Sequence, residues 1–108
     1  MLTPGVKKYL RGRAHALKPT VLIGKEGVTD TVLAEIERTA ASAELIKIRV
    51  LRNAPVDAAA AEAALSPRLS GEIVGRLGHT LVYFRAAPEG TRFPLDAIPN
   101  RGESPGEP

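Results

Sequence analysis

The chain has 108 residues, which is enough for one ordinary domain and too few for two. It contains no cysteine, which excludes a disulfide framework, a thiolate zinc site and a cysteine nucleophile, and which fits a reducing, cytoplasmic location. With 44% hydrophobic residues the chain can bury a modest core. No signal peptide and no apolar run of membrane-spanning length is visible, so we expect no membrane partner.

The net charge is only +3, but the charges are segregated along the chain. Residues 1–25 carry six basic side chains and no acidic one, residues 26–44 carry five acids and a single arginine, and residues 45–52 add three cations. Such segregation gives a folded domain a one-sided electrostatic field, which is typical of proteins that bind polyanions.

The first predicted element is an amphipathic helix. Thr3-Pro4 reads as an N-cap followed by proline in the first turn, and the helix should end before Pro19. Its predicted buried stripe consists of Val6, Leu10, Ala14 and Leu17, and its basic stripe of Lys7, Arg11 and Lys18.

The middle of the chain predicts strand, loop, helix and strand. Residues 20–23 form a β-branched strand that a Gly-Lys-Glu-Gly loop joins to a helix capped by Thr29. Residues 45–51 alternate between apolar and basic positions, which predicts a half-buried strand with Lys47 and Arg49 outward. These two cations would extend a basic surface only if no helix covers that face.

The last part of the chain predicts a third helix over 57–65 with a kink near Pro67, then strands over 72–77 and 80–85 around a turn at Gly78-His79. The resulting order is α-β-α-β-α-β-β, an α/β (α+β) domain with a four-stranded mixed sheet packed with helices. We place this domain at residues 1–86. Residues 87–108 hold five of the nine prolines and predict a Pro/Gly-rich tail, largely disordered from about residue 100.

The loop of Gly24, Lys25, Glu26 and Gly27 is the most informative local motif. It stands between a strand and a helix N-terminus, where backbone N–H groups attract anions, and its glycines allow close approach to a phosphate backbone. A second Gly-X-X-Gly at residues 75–78 does not precede a helix. We interpret its glycines as strand and turn geometry, with Arg76 as a phosphate contact.

No motif predicts catalysis or a cofactor. Two histidines without clustered carboxylates predict no metal site, and the Gly-Lys-Ser/Thr ending of a nucleotide-binding phosphate loop is absent. We therefore expect a protein that is not an enzyme and needs no cofactor. An enzyme that used Glu35 or Glu37 would require a cleft and a perturbed carboxylate on the acidic second helix.

Two long segments of the sequence are distinctive: Leu-Arg-Gly-Arg-Ala-His-Ala-Leu-Lys-Pro at 10–19 and Val-Leu-Ile-Gly-Lys-Glu-Gly-Val-Thr at 21–29. They resemble the CRM domain family (chloroplast RNA splicing and ribosome maturation), whose bacterial stand-alone members are the YhbY-type proteins. Shorter matches at 44–48 and 78–85 extend the resemblance to about residues 4–86.

The resemblance implies a fold similar to the C-terminal domain of a translation initiation factor, RNA binding through the glycine loop, and association with large-subunit precursors. By position, Gly24, Lys25 and Gly27 match the family loop, while Lys18 and Arg85 match its basic flanks. The acidic Glu26 and the Pro67 kink depart from the family pattern.

Residues and resemblance together predict a protein that binds structured RNA, most specifically ribosomal RNA in precursors of the large subunit. An alternative is a basic interaction module that docks an acidic partner protein. The predicted RNA-binding residues are Lys7, Lys8, Arg11, Lys18, Gly24, Lys25, Glu26, Gly27, Arg76 and Arg85.

Overall fold

A computed structural model describes residues 2–97, and the predicted disorder from about residue 100 lies outside that range. The predicted order of elements is confirmed. The helices are α1 (Pro4–Ala14), α2 (Asp30–Ala43) and α3 (Ala58–Leu65), the strands are β1 (Pro19–Ile23), β2 (Leu45–Val50), β3 (Glu72–Leu77) and β4 (Thr80–Phe84), and short 3₁₀ turns cover Ser66–Arg68 and Leu95–Ala97.

The four strands form one mixed sheet in the order β1-β2-β4-β3. β1 and β2 are parallel, whereas β4 runs antiparallel to both of its neighbours. Side chains of β2, β3 and β4 enter two separate cores on opposite faces of the sheet, whereas β1 contributes only to the larger one. The larger core lies between the sheet and α2 with α3, and the smaller one lies under α1 on the opposite face.

Helix α1 is shorter than the sequence predicts. The Thr3 hydroxyl accepts a hydrogen bond from the Val6 amide at 3.1 Å, which confirms the N-cap, but the helix ends at Ala14 instead of just before Pro19. Proline has no N–H to donate to the carbonyl four residues earlier, so the last turn has lost a helical bond. Residues 15–18 instead turn the chain into β1, and Leu17 is 37% exposed, so its predicted place in the buried stripe is wrong.

The β3–β4 hairpin and the turn after α3 follow the prediction. α3 ends at Leu65 and passes into the 3₁₀ turn that contains Pro67. Gly78 alone has positive φ (+59°) in the two-residue hairpin loop, which is the pattern of a type II′ turn.

The segment of residues 86–95, which we call the strap, returns across the end of the domain. Phe93 and Leu95 pack on the α1 core, and the Phe93 ring meets Phe84 edge to face with centroids 5.9 Å apart. Glu44, 2% exposed, anchors the strap by accepting hydrogen bonds from the Ala87 and Arg92 amides, each at 2.9 Å. The predicted domain boundary lies at residue 86. The strap that follows this boundary packs on the core of the domain and completes it.

Candidate nucleic-acid interface

The Gly24–Gly27 loop is a tight turn at the carboxyl end of β1. It is closed by a 2.9 Å hydrogen bond from the Gly27 amide to the Gly24 carbonyl. Gly27 is buried with φ +76°, and a Cβ there would lie 3.0 Å from Pro55 Cγ, so both backbone and space require glycine. Lys25 and Glu26 are exposed at the tip of the turn.

The N-terminus of α2 contributes less to this loop than the sequence suggests. The helix begins at Asp30, and the Thr29 hydroxyl already accepts the Val32 amide at 3.1 Å. The Asp30 carboxylate stands in the first turn and forms a 2.6 Å ion pair with Arg68. Because a protein carboxylate already stands there, the loop offers an anion chiefly the Lys25 ammonium and its own backbone.

The α1 face of the sheet is only partly covered, which resolves the position of Lys47 and Arg49. α1 packs over Leu45, Val82 and Phe84, while Arg49 is exposed beyond the end of the helix. Lys47 is half-buried, and its ammonium donates to the Leu17 carbonyl at 3.0 Å. Both cations therefore belong to a surface that no helix of the described residues closes.

The end of β2 adds a cation that was not among the predicted site residues. Arg52 is exposed next to the loop, since the Leu51 amide donates to the Ile23 carbonyl at 2.9 Å. The signal was available in the sequence. Carboxyl ends of parallel neighbours meet at one edge, so the residues after β2 had to lie beside those after β1.

The predicted site residues do not all lie together. Lys18 immediately precedes β1, and the loop follows the other end of this strand. The five residues of β1, about 17 Å in length, therefore separate Lys18 from the loop. Arg85 follows β4, whose end pairs with Leu45 at the start of β2, and therefore lies at the opposite end of the sheet from the loop. Arg76, by contrast, is beside the hairpin turn at the loop end.

The predicted cations also differ in their partners. Lys7 and Arg76 form 2.8 Å ion pairs with Glu72 and Glu62 respectively. Arg11 donates to the Val74 carbonyl at 2.9 Å, which leaves its charge uncompensated. Lys8, Lys18 and Lys25 are exposed, and no carboxylate of residues 2–95 lies within ion-pair distance of them.

Arg85 belongs to a bracing network around Glu37. The Glu37 carboxylate accepts hydrogen bonds from the Ser70 amide at 2.8 Å and from the Tyr83 hydroxyl at 2.8 Å. Arg85 donates to the Glu37 backbone carbonyl at 3.0 Å. Burial raises the pKa of Glu37. The hydrogen bonds from Ser70 and Tyr83, together with the positive charge of Arg85, outweigh this effect, so the pKa is lowered overall. Both carboxylate oxygens of Glu37 thus accept hydrogen bonds that tie α2 to Ser70 and to β4.

One broad pattern emerges from the charges of residues 2–97. Five of the fourteen Lys and Arg side chains form ion pairs with the carboxylates of residues 2–95, and nine do not. Of those nine, only Arg38 lies on α2. The other eight come from α1, the turn after it, the glycine loop and β2 with its end: Lys8, Arg11, Arg13, Lys18, Lys25, Lys47, Arg49 and Arg52. We call these eight residues the basic face.

The described side chains of residues 2–95 include no group of three or more His, Asp or Glu that could hold a metal ion. None of the helices within residues 2–97 has both the length and the apolar character needed to cross a membrane.

Known proteins supply independent information about this chain. The profile of the CRS1/YhbY (CRM) domain matches residues 2–85. The Bacillus subtilis protein named "Probable RNA-binding protein YqeI" is 34% identical over 95 residues, which cover 88% of this chain and 99% of that protein. A Haemophilus influenzae protein named "RNA-binding protein" is 36% identical over 83 residues, which cover 77% of this chain and 84% of its own.

A solved structure agrees with these sequence matches. The solution structure of the hypothetical protein SAV1595 from Staphylococcus aureus superposes with a TM-score of 0.74 at 35% identity, and the match covers 88% of this chain and 99% of that one. The family resemblance of the sequence is thereby confirmed together with its fold. The chain belongs to the CRS1/YhbY (CRM) domain family.

Proposed function

We propose that this protein binds structured RNA through the basic face, and that its cellular RNA is ribosomal RNA in precursors of the large subunit. The observation that carries the proposal is the basic face itself, a set of eight cations without ion-pair partners from α1, the turn after it, the glycine loop and β2 with its end. Two relatives that this chain matches over most of their length are named as RNA-binding proteins, which supports the same class of partner.

Electrostatics sets the form of this recognition. Cations that lack protein carboxylates retain their full attraction for phosphates, and each phosphate that they neutralise releases condensed counterions. Contacts of this kind position a protein on RNA without reading its sequence. We therefore propose that the protein recognises the phosphate backbone and the shape of the RNA. Since the proposed partners are ribosome precursors, the proposed location is the cytoplasm.

The binding test compares Lys18→Ala/Lys25→Ala with the wild type on a structured RNA between 50 and 200 mM salt. Each neutralised phosphate contributes about 0.7 to 0.9 to the slope of log affinity against log salt, so the double variant should lose roughly 1.5 units of slope. Arg38→Ala removes a cation outside the basic face and should leave the slope unchanged. Retained affinity with an unchanged slope in the double variant would overturn this site.

Sucrose-gradient sedimentation of cell lysate tests the ribosomal partner. We expect the protein to sediment with large-subunit precursors at low salt, and to leave them as salt rises or when Lys18 and Lys25 are replaced. Protein found only at the top of the gradient at low salt would contradict ribosomal association. Association with a partner that survives ribonuclease treatment would instead favour docking to an acidic protein.

A further inference from the structure

The uncovered part of the sheet contains an unusual row of side chains. Cross-strand pairing places Leu22, Arg49, Thr80 and Leu77 side by side across β1, β2, β4 and β3, on the face that α1 occupies. Three strand spacings make this row about 14 Å wide. Leu22 is 52% exposed and Leu77 75% exposed, although both belong to strands.

Behind this row lies a cleft of about 500 Å³ between the end of α1 and the sheet. Its apolar surface comes from residues such as Ala14, Pro19, Val82 and Leu77. Its other lining residues include Arg11, His15, Lys47, Arg49 and Arg76, and none of the lining residues is acidic. An apolar floor with a basic rim is the expected form of a site for an anion that has a flat apolar part.

Two of the rim cations are held in place by neutral groups. The Arg11 side chain crosses Gly75 so closely that a Cβ there would lie 2.8 Å from Arg11 Cγ, and its guanidinium donates to the Val74 carbonyl. Lys47 donates in the same way to the Leu17 carbonyl. A carbonyl orients a cation without cancelling its charge, so both remain available to an anion.

We propose that this cleft receives one unpaired nucleotide of the bound RNA, with the base against Leu77 and Val82 and its phosphate near Arg49 and Arg11. The inference rests on the proposed RNA binding and adds which part of the RNA the sheet contacts. Charge complementarity favours a nucleotide over an apolar peptide, because four Lys and Arg side chains and no acidic residue line the cleft. The volume also lies within the usual range of about 300–1,000 Å³ for small-ligand sites.

The position of the cleft is compatible with a stem held at the glycine loop. Leu22 precedes Gly24 by two residues and pairs with Arg49 of the cleft lining, so the Arg49 side of the cleft lies toward the loop end of the sheet. Because the apolar contacts are aliphatic, they offer a base a surface without hydrogen-bonding groups that would identify it. We therefore expect a preference for an extruded nucleotide of any kind.

The test measures affinity for two RNA stems of one sequence, one fully paired and one with a single bulged nucleotide. We expect the wild type to bind the bulged stem about tenfold more tightly, which corresponds to roughly 1.4 kcal/mol. Arg49→Gln and Leu77→Ser should remove this preference. Arg38→Gln is the matched control for Arg49→Gln, since it makes the same chemical change at an exposed site outside the cleft, and it should keep the preference.

A photo-crosslink adds a readout that does not depend on variants. With 4-thiouridine as the bulged nucleotide, we expect crosslinks to peptides of the β3–β4 hairpin and of β2. Crosslinks confined to the glycine loop, or equal affinity of the wild type for both stems, would overturn the cleft proposal and leave RNA binding intact. Absence of salt-dependent binding to either stem would overturn both proposals.

Discussion

Glu44 gives the sharpest test of how the strap is held. Its side chain is 2% exposed, and its backbone has φ +68°, a region that costs a residue other than glycine about 1–3 kcal/mol. One carboxylate oxygen accepts the Arg92 amide at 2.9 Å and the Arg92 Nε at 3.2 Å, and the other accepts the Ala87 amide at 2.9 Å. The carboxylate must therefore offset both its own burial and this backbone strain.

Glu44→Gln keeps the size of the side chain and removes the charge. The new NH₂ group would face either the Ala87 amide or the two Arg92 donors, so at least one N–H loses its acceptor. An unsatisfied buried donor costs about 1–3 kcal/mol, and the remaining bonds lose their ionic strengthening. We expect a loss of about 2–4 kcal/mol at pH 7, which lowers Tm by about 10–25 °C in a domain of this size.

Thermal and urea denaturation followed by circular dichroism measure this loss. Glu89→Gln is the matched control, because Glu89 lies exposed in the same strap, and it should change stability by less than about 0.5 kcal/mol. RNA affinity of folded Glu44→Gln should be unchanged, since Glu44 lies at the sheet end opposite the glycine loop. A variant as stable as the wild type would refute the claim that this carboxylate holds the strap.

The same carboxylate predicts a dependence on pH. Burial raises the pKa of Glu44, but hydrogen bonds from the Arg92 and Ala87 amides outweigh it and leave the pKa lowered. A lowered folded pKa means that the contribution is complete above the unfolded pKa of about 4.3, and is lost as pH falls through the folded value. The stability difference between wild type and Glu44→Gln should therefore shrink in acid. A constant difference from pH 7 to pH 2 would contradict this assignment.

Three further substitutions test the packing that positions the site. Gly71→Ala should cost about 3 kcal/mol in urea denaturation, because a Cβ there would lie 2.8 Å from the Tyr83 hydroxyl oxygen. Tyr83→Phe should cost about 1–3 kcal/mol, since that hydroxyl donates to Glu37 and accepts from the Gly71 amide; unchanged stability would show that this bridge is unimportant. Gly75→Ala should displace the Arg11 side chain and lower the free energy of unfolding by about 1 kcal/mol. The same substitution should cause no further loss of stability in a protein that already carries Arg11→Ala. Additive losses in this double-mutant cycle would contradict the contact.

Local patterns in the sequence were sufficient for the order of elements. The Thr29 cap, the alternation over 45–50 and the Gly78 turn each act through neighbours a few residues away, so each could be predicted without a tertiary structure. The end of α1 was predicted wrongly for the opposite reason. The spacing of apolar residues predicts a helix that continues through Leu17. The chain instead leaves the helix at Ala14, because β1 must lie alongside β2.

Charge segregation in the sequence predicted a basic side, but only the tertiary structure decided which cations belong to it. Ion pairs such as Lys7 with Glu72 and Arg76 with Glu62 join residues 65 and 14 positions apart, and no local pattern announces them. The open row around Arg49 likewise exists only because α1 stops short of the sheet's end. Composition and periodicity determined the elements and the sign of the field, while long-range pairing determined which charges are compensated and which remain for a ligand.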